Sequence, residues 1–243
     1  SVESRADQVQ KFFNNITINA GYASAKIQNN MQIFLDERNI NSVSELMNNA
    51  YLLEAFEENS LSVLVNALEY SETSGAFIIL DTNDNPGTKT ALYLRDTRPE
   101  TVSASDLLYL RGPYSIARDF SIPLDSEWSF AQSFTGVNTD YYSKPCNAAL
   151  DEKTKLRDQF GYWSGVFQFS ETGSRIITYT LPSMDQNGMP FGIFGFEVNE
   201  DLLVKNLPSN EIPYEYGVYA LYKNADPGSL PQDAVFSGAY ASI

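Results

Sequence analysis

The N-terminal region carries one amphipathic pattern that is longer than a small domain is wide. Residues 4–39 contain no proline, and apolar side chains recur there at gaps of three and four, the spacing of one helix face. These side chains are Val9, Phe12 or Phe13, Ile16, Ala20, Ala23, Ile27, Met31 and Phe34. A helix of about 36 residues is about 54 Å long. We therefore expect it to lie along an elongated body or to pair with a second copy of itself.

The composition excludes several classes of function. The chain has 243 residues, a formal net charge of −15 and no histidine. The negative charge repels a phosphate backbone, which excludes nucleic acid as a partner. The absence of histidine excludes Ser-His and Cys-His catalysis and histidine-ligated zinc. The single cysteine, Cys146, cannot form an intramolecular disulfide. We expect neither a metal nor another cofactor.

The pattern after the long helix predicts two more helices. Ser42 and Glu45 have the spacing of a capping box, in which each side chain accepts a hydrogen bond from a backbone N–H at the start of a helix. The apolar stripe over residues 43–56 predicts a second amphipathic helix, and residues 61–70 predict a third, shorter one.

A first group of strands follows. Residues 76–80 have the pattern of a buried strand, and residues 91–94 of its partner. Residues 81–87 form a dense turn signal that resembles the opening of a calcium loop, but the glycine comes one place late and Leu92 stands where a glutamate is needed. Short helices are predicted near 104–110 and 114–119.

Three β-rich runs in residues 161–199 are joined by polar turns. Asn187-Gly188 between the last two runs is the strongest hairpin signal in the chain. A short helix is predicted over 200–206, and further strands over 216–223 and 234–240.

The order of these elements resembles the double-Cache sensor domain of bacterial chemoreceptors, histidine kinases and diguanylate cyclases. Three segments carry the resemblance, over about residues 9–207: SGAFIILDTNDN, GYWSGVFQF and ITYTLPSMDQNGMPFGIFGFEVNEDLL. The last contains a Tyr-x-x-Pro strand, a turn with glycine, and a strand with the pattern Gly-hydrophobic-acid-hydrophobic. ALYLRDTRP and DLLYLRGPYSIA are similar to versions of this sensor that precede diguanylate cyclases.

The resemblance implies an α+β fold: a long N-terminal helix, then a PAS-like antiparallel sheet module flanked by helices, then the start of a second, smaller module. We expect residues 1–41 to form the long helix and residues 42–206 the membrane-distal, ligand-binding module. Residues 207–243 would be a truncated or reduced membrane-proximal module. No apolar run of about 18 residues occurs, so we expect a fragment of a longer protein that meets the membrane only through other segments.

The resemblance also implies a pocket between the sheet and the segment 111–142, in which a strand-end carboxylate anchors a ligand amine. Glu197 stands where amino-acid-binding members carry aspartate. A carboxylate inside an apolar strand is costly unless it is paired or hydrogen-bonded, although Glu197 could instead face solvent. Aromatic side chains and two arginines complete the candidate ligand-binding set: Trp128, Tyr141, Tyr142, Trp163, Tyr179, Arg111 and Arg118. Each aromatic residue could equally be core, and each arginine could pair with Asp106 or Asp119.

One departure from the family bears on the ligand. Amino-acid-binding members have an arginine two places before a tryptophan and a tyrosine after it. Here Ser126 precedes Trp128, Ser129 follows it, and Phe167 replaces a later tyrosine. We therefore leave the ligand open among amino acids, amines and organic acids.

Three functions remain to be separated. The first is an extracytoplasmic, non-catalytic sensing domain of a membrane-anchored receptor, which binds a small polar metabolite and passes the signal to a cytoplasmic output domain. The second is a ligand-free interaction module that dimerises through the N-terminal helix. The third is an extracytoplasmic enzyme with a carboxylate pair about 5–10 Å apart in a cleft.

Overall fold

The computed structural model describes residues 2–82, 87–101, 103–134, 138–152, 155–169, 173–206, 218–221 and 235–238. Its helices are α1 (Val2–Arg38), α2 (Val43–Met47), α3 (Ala50–Ser71), α4 (Tyr114–Asp119), α5 (Asp140–Asp151) and α6 (Glu200–Asn206). Its first five strands are β1 (Gly75–Leu80), β2 (Thr88–Asp96), β3 (Leu107–Arg111), β4 (Leu124–Ser129) and β5 (Ala131–Ser133). The others are β6 (Tyr162–Trp163), β7 (Ile176–Met184), β8 (Pro190–Asn199), β9 (Val218–Leu221) and β10 (Val235–Gly238). The predicted α+β class is confirmed.

The described strands form one eight-stranded mixed sheet and one separate hairpin. The order in the large sheet is β4-β3-β2-β1-β8-β7-β6, with β5 paired to β2. All of its pairs are antiparallel except β3 with β4, which is parallel. β9 and β10 form the separate antiparallel hairpin, within the two predicted strand regions. No helix in the described part of the chain is long and apolar enough to cross a membrane.

The predicted long helix is confirmed as α1, with 37 residues. Its stripe, including the fully buried Ile16, Ala20 and Ile27, packs against α3 and against β7 and β8. The next two helices were placed wrongly, because the break falls at residues 48–49 and not near residue 60. Asn49 causes this break, since its side chain accepts hydrogen bonds from the N–H groups of Tyr51 and Leu52 and so begins α3.

The sheet has two differently covered faces. The core face carries the buried side chains of Ala76, Ile78, Leu92, Leu94, Phe194 and Phe196, which pack under α1 and α3. The aromatic face carries Phe77, Ile79, Tyr93 and Ile193, which pack with the α5 residue Tyr141. Side chains alternate along each strand, so the hydrophobic runs of β1 and β8 supply both faces at once.

Several other predictions can be compared with the structure. The Asn187-Gly188 hairpin is confirmed, with Gly188 at φ 75°, and so are the helices α4 and α6. The helix predicted over 104–110 is wrong beyond its first turn, because residues 107–111 pair with β2. The strand predicted over 161–169 shrinks to Tyr162–Trp163 and a single bridge between Phe167 and Ile176. Residues 83–86 of the calcium-like turn lie outside the described residues.

Candidate functional site

An open cleft of about 490 Å³ lies at one end of the sheet, where β1 begins and β2 and β8 end. Its lining is mostly polar and charged. It is formed by Ser74, Arg95, Asp96, Thr97, Leu108, Asp125, Ser126, Glu127, Gly173, Ser174, Glu197 and Asn199. Strands β2, β4 and β8 and the loop before β1 therefore meet there, and three of the residues belong to the predicted roof segment 111–142.

Strand register brings the central charged residues into one row. Gly75 of β1 lies opposite Arg95 of β2 and opposite Glu197 of β8, and Thr178 of β7 lies opposite Glu197. Directly opposed residues project from the same face, so this row belongs to the aromatic face, next to Tyr93. A side chain at position 75 would be crowded, because its Cβ would lie 3.0 Å from the Glu197 Cβ and 3.0 Å from the Tyr93 ring, so these neighbours would have to move by a few tenths of an ångström.

Glu197 is a buried carboxylate with three partners. It is 2% exposed, so the interpretation that it faces solvent is wrong. The Tyr93 hydroxyl and the Arg95 Nε, at 3.2 Å, donate to its Oε2, and the Ser74 hydroxyl donates to its Oε1 at 3.2 Å. Burial raises the pKa of Glu197, while Arg95 and the hydrogen bonds from Tyr93 and Ser74 oppose that rise.

Arg95 joins Glu197 to two carboxylates of β4. Its Nη1 lies 3.2 Å from Glu127 Oε2 and 3.5 Å from Asp125 Oδ2. Burial alone would lower the pKa of Arg95, but Glu197, Tyr93 and Asp125 raise it above its usual value, so the guanidinium stays charged. One cation thus holds three carboxylates at the wall of the cleft.

A second arginine, Arg111, lies behind this wall. It is 8% exposed, and its Nη1 donates to the carbonyl oxygens of Leu110 at 2.8 Å and Glu127 at 2.6 Å. Its Nε has no hydrogen-bond partner among the described residues, and neither has the Tyr141 hydroxyl. Burial lowers the pKa of Arg111, and burial raises that of Tyr141.

Aromatic rings fill the space between α5 and the middle of the sheet. The Tyr141 ring stacks on Phe167 with centroids 5.2 Å apart, and it meets Phe169 edge-on at 5.7 Å and Phe77 at 6.3 Å. The predicted chamber under the roof is therefore occupied by side chains at this point. The open volume lies beside Glu197 instead.

The structure brings together some of the predicted site residues. Glu197 and Arg111 project from the aromatic face, and Tyr141 of α5 packs on this face. Tyr142 follows Tyr141 on α5, with its ring 5.1 Å from Phe134. Among these, Glu197 lines the cleft directly.

The other predicted site residues lie elsewhere. Trp163 and Tyr179 pack on the core face, 4.9 Å apart, and Trp163 also meets the α1 residue Phe13. Trp128 packs against the same core, and its indole N–H donates to the Gly112 carbonyl at 3.3 Å. Arg118 is exposed on α4 and pairs with Asp119, as the alternative interpretation held.

Five residues of the site were missed: Ser74, Tyr93, Arg95, Asp125 and Glu127. The strand signal over 91–94 contained part of this information, because the alternation in ALYLRD puts Tyr93 and Arg95 on one face. Nothing in the sequence indicated that β4 would pair in parallel with β3 and so bring Asp125 and Glu127 to Arg95. In the described residues no group of three or more His, Cys, Asp or Glu side chains could hold a metal ion.

Comparison with known proteins gave no family model and no curated protein that matches the chain. One similar solved structure is the extracellular domain of a protein assigned as a histidine kinase. It is 18% identical to this chain, with a TM-score of 0.38, and the matched region covers 83% of this chain and 65% of that domain. The periplasmic sensory domain of the Campylobacter jejuni chemoreceptor Tlp1 is 11% identical, with a TM-score of 0.47, and the matched region covers 89% of this chain and 64% of that domain.

The ligand-binding domain of the Campylobacter jejuni chemoreceptor Tlp3, in complex with L-valine, is 11% identical, with a TM-score of 0.36, over 86% of this chain and 70% of its own. The chain thus spans about 65% of the length of the first two structures. These three structures are an extracellular domain, a periplasmic sensory domain and a ligand-binding domain.

Proposed function

We propose that the chain is the extracytoplasmic sensing part of a membrane-anchored signal-transduction protein, and that a small polar metabolite binds in the cleft beside Glu197. One observation carries the proposal: a fully buried carboxylate is held by Arg95, Tyr93 and Ser74 at the wall of an open cleft of about 490 Å³. This volume is within the usual range for a small-molecule site. Buried charges are expensive, and strongly perturbed groups that face a cleft mark candidate functional sites.

The same residues offer a path for a signal. The Ser74 hydroxyl, which donates to Glu197, accepts a hydrogen bond from the Asn199 N–H at 2.8 Å. The Asn199 side chain in turn accepts from the Leu202 N–H at 2.9 Å and so holds the first turn of α6. A ligand that changes the position of Glu197 would therefore change the start of α6. In this proposal α6 leads out of the distal module, residues 42–206, into the proximal part, residues 207–243, and from there to a cytoplasmic output domain.

A catalytic role is less well supported. Asp125, Glu127 and Glu197 do converge in the cleft, as a carboxylate-based hydrolase would require. However, the Arg95 guanidinium lies between them and contacts all three. The position that a scissile bond would need is thus filled by a permanent cation, and we propose binding without turnover.

A ligand screen tests the proposal. Amino acids, amines, organic acids and purines are added to the protein and its melting temperature is recorded. A ligand at 100 times its Kd should stabilise the fold by about 2.7 kcal/mol. Glu197→Gln should reduce the shift, whereas Asp36→Asn, which removes one exposed charge on α1, should leave it unchanged. The proposal fails if no compound of these classes stabilises the protein.

A ligand-free dimerisation module is the second candidate, because α1 carries exposed apolar side chains. Ile18, Tyr22 and Ile33 are 57%, 74% and 45% exposed, and the filled aromatic face also suits a module without a ligand. Sedimentation velocity across a concentration series tests this candidate. It requires a stable dimer that Tyr22→Ser weakens, whereas we expect at most weak association of this fragment.

A further inference from the structure

We propose that the cleft beside Glu197 takes a small organic cation without a carboxylate, namely an amine or a guanidine compound. This inference rests on the proposed function and names the ligand class of the same site. It follows from the charges on the wall of the cleft and from a hydroxyl oxygen beside Glu197 that has no hydrogen-bond partner.

Carboxylates outnumber cations in the lining. Four acidic residues line the cleft, Asp96, Asp125, Glu127 and Glu197, and Arg95 is the one cation among the described lining residues. Even with Arg111, which lies behind the wall, acidic groups outnumber basic ones by two to one. Since like charges disfavour each other at short range, a ligand carboxylate would be repelled and a cation attracted.

Two of the three nitrogens of Arg95 already contact protein carboxylates. Its Nε contacts Glu197 and its Nη1 contacts Glu127 and Asp125, so a ligand carboxylate that approached these nitrogens would have to displace protein carboxylates. An ammonium or guanidinium group can instead donate to the same carboxylates, whose oxygens accept more than one hydrogen bond each. Binding of such a group adds positive charge to a cleft in which acidic residues outnumber basic ones.

A buried oxygen beside Glu197 also lacks a donor. Thr178 lies directly opposite Glu197 in the strand pairing and is fully buried, and its hydroxyl has no hydrogen-bond partner among the described residues. A buried hydroxyl without a partner destabilises the folded chain. Thr178 is not itself among the lining residues of the cleft, but the strand pairing places it beside Glu197, where its oxygen could accept from a ligand N–H that reached Glu197.

The charge of the whole chain acts in the same direction. With a formal net charge of −15, the protein attracts organic cations over distances of about the Debye length, about 8 Å at physiological ionic strength. This long-range attraction raises the association rate of any organic cation. Selectivity among cations comes from the residues that line the cleft.

Matched ligand pairs test the inference by isothermal titration calorimetry. Agmatine is compared with L-arginine, and cadaverine with L-lysine, because the members of each pair differ by one carboxylate. We expect the amine of at least one pair to bind at least 10-fold more tightly than its amino acid. Glu127→Gln should weaken that binding at least 5-fold, and Asp36→Asn, which removes the same charge far from the cleft, less than 2-fold.

Each other outcome overturns a different statement. If the amino acids or simple carboxylic acids bind more tightly than the amines, and Arg111→Lys abolishes that binding, the ligand class is wrong while the sensing function stands. If amines bind but Glu127→Gln and Glu197→Gln have no effect, the cleft is not their site. If none of these compounds and no compound of the wider screen binds, the proposed function itself fails. Circular dichroism of each variant verifies that it is folded.

Discussion

The two faces of the sheet each bury one glutamate, and the protein treats the two carboxyl groups differently. Glu57 of α3 lies by the core face and is 1% exposed, and its Oε1 has no hydrogen-bond partner among the described residues. Burial raises its pKa well above the usual value, and the nearby Glu54 raises it further. Glu197, on the aromatic face, has Arg95, Tyr93 and Ser74 as partners, which oppose the rise that burial causes.

This difference separates a packing surface from a binding surface. A closed apolar face can hold a carboxyl group only at low cost in its neutral form. A face that opens to a cleft holds a network of charges, whose desolvation cost is not repaid by packing. We infer that the core face supplies stability and that the end of the aromatic face supplies recognition.

The largest effect should come from a cavity in the core face. Phe56 is fully buried on α3, with its ring 5.7 Å from Phe34. Phe56→Ala should reduce the free energy of unfolding by about 3–5 kcal/mol, because it removes buried area and leaves a void. Urea denaturation measures the loss. The ligand affinity of the folded fraction should not change. A large change in Kd would show that packing on the core face also affects ligand binding on the aromatic face.

Removal of the cation on the aromatic face should come next. Arg95→Met leaves Glu197, Glu127 and Asp125 without their shared partner and should cost about 3 kcal/mol at pH 7.5. It also raises the pKa of Glu197 further. A carboxyl whose pKa is higher in the folded than in the unfolded chain destabilises the fold as pH rises above its ordinary value of about 4.3.

The loss in Arg95→Met should therefore be smaller at pH 4.5 than at pH 7.5, measured by denaturation of both proteins at both pH values. Arg118→Met is the matched control, because Arg118 is exposed on α4. It should change stability much less than Arg95→Met does. Equal losses in the two variants would mean that the Arg95 network contributes no more to stability than an exposed ion pair does.

The sequence predicted the long helix and the closing hairpin because both depend on local signals. The stripe of α1 runs through 37 residues without proline, and Asn187-Gly188 favours one turn type. Glu197 was found because an acid within an apolar strand needs a partner. Its partners depend on register, since Gly75 lies opposite both Arg95 and Glu197, and register between distant strands is set by packing that no local pattern records. The helix predicted over 104–110 was wrong for the same reason.

One substitution made at two tyrosines should have opposite effects. Tyr93→Phe removes the hydroxyl that donates to Glu197 and should cost about 1.5–3 kcal/mol, the range for hydrogen bonds to charged groups. Tyr141→Phe removes a buried hydroxyl that has no hydrogen-bond partner among the described residues and should be neutral or stabilise the protein by about 1 kcal/mol. Thermal and urea denaturation compare the two. Destabilisation by both would mean that the Tyr141 hydroxyl also has a partner in solution, such as a bound water.

The last expected effect concerns the other glutamate and is a change of stability with pH. Because burial and Glu54 raise the pKa of Glu57, the wild-type chain should lose stability relative to Glu57→Gln as the pH rises from about 4.5 to 8. Above the ordinary carboxyl pKa the unfolded chain releases a proton that the folded chain keeps up to its own, higher pKa, so the loss grows with pH until that pKa is reached. Urea denaturation at four pH values gives the difference. A difference that does not change with pH would mean that the pKa of Glu57 is the same in the folded and unfolded chains, so that its carboxylate has a partner in the folded chain. That result would remove the contrast between the two faces.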